Sequence, residues 1–151
     1  HQAMVTVSTH DMPTLNGWWQ GRDLDWREKL SLYPQPQMAV DERNNRDTSR
    51  HMLLDALVDA GVLNHDDQLD QNYDVQQLTL AAQAFLAKSA GAIHMIPLED
   101  AIGQVEQVNI PGTVDEHPNW LQRLPYTLDE VWQQQHFAAL VEMMQQLRPR
   151  S

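Results

Sequence analysis

The stretch VTVSTHDMPTLNGWWQGRDLDW, Val5 to Trp26, runs from an alternating β-like segment into an adjacent imidazole and carboxylate, a turn and a pair of indoles. Over Ala3–Ser8, Ala3, Val5 and Val7 share one face and Met4, Thr6 and Ser8 the other, and the β-branched residues favour an extended strand. Pro13 restricts its predecessor and Gly17 permits unusual backbone angles, so Asp11–Gly17 reads as a turn or loop entry. His10 and Asp11 therefore stand where a strand stops, the position at which parallel α/β sheets hold ligands.

Working outward, the partner of that strand is sought in Ala92-Ile-His-Met-Ile-Pro97, a short β-rich run directly after Gly91. A helix is expected from about Asp74 to Ser89, with Leu78, Ala82, Phe85 and Leu86 along one side and Gly91 after its end. A helix, a glycine stop and then a strand make half of a βα repeat, so the fold class is α/β with a parallel sheet. Trp18–Leu32 is expected to be helical in part, with Trp19, Leu24, Leu30 and Leu32 available for packing. Tyr33-Pro-Gln-Pro36 reads as a break, followed by a polar connector through Asn45.

From Asp47 the pattern becomes helical again: Asp47, Thr48 or Ser49 can cap it, Leu53, Leu54, Leu57, Val58 and Ala60 form a stripe, and Gly61 supplies the stop. Leu98–Gly103 can hold a short helical turn, and residues 104–118 read as a shaped loop. Thr127-Leu-Asp-Glu130 fits a capping box, followed at helical spacing by Val131, Phe137, Leu140, Val141, Met144 and Leu147. The methionines read as packing.

At 151 residues, 42% of them hydrophobic, the length suits one domain. No run of about 18 apolar residues occurs and no basic region precedes an apolar block, so neither a membrane span nor a signal peptide is expected. The absence of cysteine excludes disulfide and thiolate chemistry and fits a cytoplasmic setting. A net charge of -11 would repel phosphate backbones, so no nucleic-acid partner is expected. Arg43, Arg46 and Arg50 are interrupted by Asp41, Glu42 and Asp47 and read as a solvated mixed-charge surface. His65, Asp66, Asp67 and Asp70 form an acidic stretch without metal-ligand spacing, and it reads as a solvated loop.

His10 and Asp11 have two readings. They can satisfy turn amides, or an ionised Asp in a partly enclosed pocket can steady a developing oxocarbenium ion while a neutral His bonds sugar hydroxyls. Trp19, Trp26 and Trp132 read as core, Trp18 beside Gly17 can instead present its ring to a sugar face, and Trp120 stays open. Asn109 can bond paired hydroxyls or its own turn.

Taken together, THDMPTLNGWW at Thr9–Trp19, PLEDAIG at Pro97–Gly103, QVNIPGT at Gln107–Thr113 and HPNWLQRLP at His117–Pro125 resemble the 4-α-glucanotransferases, or amylomaltases, in content and order. The resemblance spans nearly the whole of residues 1–151, with residues 34–72 its least diagnostic part. It implies a (β/α)8 barrel with inserted subdomains and a retaining double displacement on α-1,4-glucans, with glucose or another glucan as acceptor and no cofactor. Carried over by motif, Asp11 resembles the third carboxylate, which steadies the transition state. His10 resembles the histidine that contacts the sugar at the cleaved end, Asn109 a substrate-loop residue, and Trp18 a sugar-stacking candidate. Asp100 is expected to be a supporting or structural residue.

The family's nucleophilic Asp and acid/base Glu lie ahead of the THD motif, and the ten residues before Asp11 contain neither. The chain is therefore expected to be the C-terminal portion of the barrel, carrying its strands seven and eight with flanking helices and predominantly helical as a separate piece. Alone it is expected to be inactive and to self-associate through uncovered strand edges and apolar faces. The competing reading is a noncatalytic α-glucan-binding or protein-interaction module.

Overall fold

Two short strands and seven helices are found among the described residues, 3–64 and 74–149, of the computed structural model. β1 (Met4–Val5) pairs in parallel with β2 (Ile93–His94), Met4 opposite Ile93 and Val5 opposite His94. The parallel arrangement agrees with the sequence expectation, but each strand is two residues long. Met4 and Ile93 are 58% and 62% exposed, so this sheet is bare on the side they face. The acidic stretch at His65–Asp70 lies outside the described residues.

After β1 the chain enters α1 (Leu15–Gln20), capped by the Thr14 side chain accepting from the Gly17 amide. The helix thus starts before Trp18 and contains Gly17, which was expected to end a turn. Gly17 is there for close approach: a Cβ would collide with the Val105 carbonyl oxygen. Gly21, at φ 79°, ends α1 and starts α2 (Arg22–Lys29), so the left-handed residue sets the corner between them.

The largest departure is α3, which runs over Pro36–Asp59 without a break at Asp47. The expected polar connector through Asn45 is helix, because Pro36 occupies the first turn, where its missing N–H costs nothing and its fixed φ suits the helix. That early start changes the arginine cluster. Arg46 is not on a solvated surface: it meets Asp23 in a two-pronged pair at 2.8 and 2.7 Å, and both side chains are about nine-tenths buried. It also donates to the Trp18 carbonyl at 2.6 Å, tying α3 to α1 and α2.

α4 (Val75–Ala87) has Asp74 as its cap, as the sequence indicates. The helical core gathers Trp19, Leu54, Leu57, Leu63, Leu78 and Ala81, with Leu57 and Leu78 fully buried. Contrary to the sequence expectation of a packed position, Phe85 on α4 is exposed, and so is Trp132, which the sequence suggests for the core. Trp132 meets Phe137 edge-on at 5.2 Å, where the final helix is split into α6 (Leu128–Val131) and α7 (Gln135–Leu147). The Thr127–Glu130 capping box is present at α6. Among the described residues no helix is long and apolar enough to cross a membrane.

Candidate functional site

The segment carrying His10 and Asp11 is fastened to residues about ninety positions later. Asp100, in the short α5 (Leu98–Ala101), is 2% exposed; one carboxylate oxygen accepts from Ser8 Oγ at 2.6 Å and the other from the Leu15 amide at 2.6 Å. A single buried carboxylate thus grips both ends of the Thr9–Thr14 loop. Burial pushes the Asp100 carboxyl above its ordinary value, while the bonds from Ser8 and Leu15 work in the opposite direction. Thr14 Oγ1 donates to the Gln104 carbonyl at 2.6 Å, and Asn16 Nδ2 to the Gly103 carbonyl at 2.6 Å.

The second wall of the site is the loop after α5. Gln107 Nε2 donates to the Asn109 carbonyl at 2.6 Å, and the Ile110 amide donates to Asn119 Oδ1 at 2.9 Å. Asn119 Nδ2 reaches Thr113 Oγ1 at 2.8 Å, so one amide side chain closes the Pro-Gly turn from inside. Beneath it His117 is 1% exposed and meets the Trp26 ring edge-on at 4.7 Å, while Trp26 Nε1 donates to Glu106 at 2.6 Å. Trp26 therefore supports the loop as well as packing. These bonds fix the loop's shape without regular structure, while Gln104 Oε1 and His117 Nδ1 stay buried without a partner among the described residues.

These two walls meet at Asp11. Asn109 Nδ2 donates to Asp11 Oδ1 at 2.7 Å, across 98 residues of sequence. His10 Nε2 stands 3.3 Å from Asp11 Oδ2, and both side chains are more than half exposed. The Trp120 ring lies 5.2 Å from the His10 ring at 40°, with Trp120 held at φ 61° and itself 62% exposed. The result is an open corner with a carboxylate, an imidazole, an amide and an indole, suited to hydroxyl bonding beside an apolar face.

Three of the four residues singled out from sequence, His10, Asp11 and Asn109, are thus brought together. Trp18 is not placed with them: it packs against the helical core, with the Arg46 guanidinium 4.8 Å from its ring centroid. The ring beside His10 is that of Trp120, whose signal in the sequence was its place in the HPNW motif directly after Asn119. Asp100 is structural, as expected, and buried.

The 4-alpha-glucanotransferase family model, glycoside hydrolase family 77, matches residues 1–129. A 4-alpha-glucanotransferase of Mycobacterium tuberculosis is 29% identical over 147 residues, 92% of this chain and 19% of that protein. That of Haemophilus influenzae is 27% identical over 134 residues, covering 83% and 18% respectively. An amylomaltase structure from Corynebacterium glutamicum superimposes with a TM-score of 0.81 at 22% identity, over 94% of this chain and 21% of that one, a likeness of fold. The chain spans about a fifth of the length of these relatives.

Proposed function

The chain belongs to the 4-alpha-glucanotransferase family, and from that premise we propose that it supplies the Asp11 wall of an α-1,4-glucan-transferring site built on strands seven and eight of a (β/α)8 barrel. The observation that carries this reading is the Asn109–Asp11 bond, which joins the two motif loops at one exposed carboxylate. The Asn109 side-chain Nδ2 holds one carboxylate oxygen, leaving the side-chain Oδ1 for a sugar hydroxyl. Asp11 fixes neighbouring hydroxyls and offsets the positive charge that develops on the sugar ring as the glycosidic bond breaks. His10 bonds the same sugar, and the exposed Trp120 ring takes the apolar-face role considered for Trp18.

A retaining transfer needs a nucleophile and an acid/base about 5–5.5 Å apart. The carboxylates nearest in function are committed elsewhere: Asp100 is buried on Ser8 and Leu15, Asp23 is paired with Arg46, and Glu42 accepts from Arg27 and Tyr33. By the resemblance, the nucleophilic Asp and the acid/base Glu precede the Thr9-His10-Asp11 motif in the family, so Asp11 acts with carboxylates that this chain's motifs do not supply, and the chain by itself binds glucan without transferring it. The acceptor in the whole reaction is glucose or another glucan, in a cytoplasmic setting. The bare Met4–Ile93 side of the sheet is covered by another strand-bearing segment, and in its absence by self-association.

Incubation with maltotriose tests the division of roles. No glucose or longer glucan should appear with this chain alone, and light scattering should report a species larger than the monomer. Turnover by the chain, lost in Asp11→Asn, would mean that it holds the complete machinery and would overturn the assignment.

A further inference from the structure

Asp11 also belongs to the wall of a second hollow, a cleft of about 340 Å³ between the Gln107–Pro111 loop and the α2–α3 corner. Its far side is formed by Arg27, Leu32, Tyr33, Met38 and Glu42. All five lie on α2, on α3 or between them, outside the loop segments that bring His10, Asp11 and Asn109 together.

The chemistry of that wall is mixed in a way that suits a neutral sugar. Tyr33 donates its hydroxyl to Glu42 Oε2 at 3.0 Å, and Arg27 Nη1 reaches the two oxygens of the same carboxylate at 3.2 and 3.1 Å. Burial, then the bond to Glu42, keeps the phenol proton in place, so the ring stays neutral and its oxygen can still accept. Arg27 is half exposed and keeps further N–H donors beyond those used on Glu42. Leu32 and Met38 remain 38% and 40% exposed beside Ile110 and Pro111, giving apolar surface next to this polar frame. Asp23 and Glu42 are paired with Arg46 and Arg27, so among the described residues the cleft has no uncompensated cation for an anionic occupant, and the Asp11 carboxylate at its edge disfavours one. The volume is at the small end of ligand pockets, which run from roughly 300 to 1,000 Å³.

We propose that this cleft is a glucosyl subsite continuous with Asp11, in which Tyr33 is the specificity-determining contact and the Arg27–Glu42 pair forms the polar wall. It rests on the glucan reading of Asp11. A sugar unit there lies against Tyr33, Met38 and Ile110 with its carbon-bound hydrogens and directs hydroxyls to Arg27 and Glu42.

The test is a maltotriose titration of the chain labelled with 13C at the methionine methyls, the Met38 signal being assigned with Met38→Leu. The Met38 signal should shift with the binding curve. Tyr33→Ala should weaken maltotriose about tenfold, and Tyr33→Phe, which keeps the ring and loses the bond to Glu42, should weaken it less. A Met38 signal unmoved at saturation, or unchanged affinity in Tyr33→Ala while Asp11→Ala binds weakly, overturns the subsite and leaves the Asp11 reading standing. No maltotriose binding by the unsubstituted chain, or full binding by Asp11→Ala, overturns both.

Discussion

The helical half of the molecule and the half that presents Asp11 are held together by different forces. In the first, α1, α3 and α4 bury Trp19, Leu54, Leu57, Leu78 and Ala81 against one another. In the second, a strand end and two loops are joined by polar bonds between distant segments: Ser8 to Asp100, Thr14 to Gln104, Asn16 to Gly103 and Asn109 to Asp11. Apolar packing responds to loss in proportion to the cavity left behind, and its effect spreads through the core. A polar tether fixes a particular geometry, so its loss should disturb the site more than the fold. Substitutions can separate the two cases.

The largest expected effect is in the helical half. Leu57→Ala removes a fully buried side chain and should cost about 2–5 kcal/mol in denaturant unfolding, with similar loosening across α1, α3 and α4. A cost well below that range would mean that the cluster does not hold this half. At the seam between the halves, Gly17→Ala places a methyl group against the Val105 carbonyl and the Thr14 hydroxyl. The helix preference of alanine, about 1 kcal/mol over glycine, should be outweighed, giving a net loss of roughly 1–3 kcal/mol. A stabilised variant would show that Val105 can move away.

Asp100→Ala should cost about 1–3 kcal/mol, since the Ser8 hydroxyl and the Leu15 amide lose a buried partner. Its distinguishing mark should be faster hydrogen exchange over Thr9–Thr14 with protection in α3 and α4 kept. Uniform loss of protection would instead place Asp100 with the general core. The raised carboxyl value adds a pH signature. Protonation relieves the buried charge, so the contribution from this group is fully present below the ordinary aspartate value. It is lost as the pH rises through the folded value. Asp100→Asn should flatten that part of the stability profile, and an unchanged profile would contradict the burial argument. The smallest effect belongs to the exposed α6 cap: Thr127→Ala should cost about 1 kcal/mol, confined to α6.

Part of the candidate site was legible in the sequence because His10, Asp11 and Asn109 each stand in a short motif, the HD pair at a strand end and the NIPG turn, although only the fold brings the two motifs together. Parallel pairing was legible from the Gly91 stop followed at once by a β-rich run. What escaped depends on contacts the sequence does not display. Gly17 reads as a turn residue until the Val105 carbonyl is seen against it, and Pro36 reads as a break although it is well suited to a first helical turn. Arg46 reads as solvated because its partner Asp23 is on another helix. Trp18 stands nearer to Asp11 in sequence than Trp120 does, yet a turn held by Asn119 brings the later ring to His10.

Isothermal calorimetry with maltotriose tests most directly whether Asp11, held by Asn109 and flanked by His10, is the glucan-binding group of this chain. The unsubstituted chain should bind, Asp11→Ala should lose at least about tenfold in affinity, or 1.4 kcal/mol, and Asn109→Ala should lose less. The exposed Asp129→Ala should bind as the unsubstituted chain does. Equal binding by Asp11→Ala and the unsubstituted chain would contradict the account.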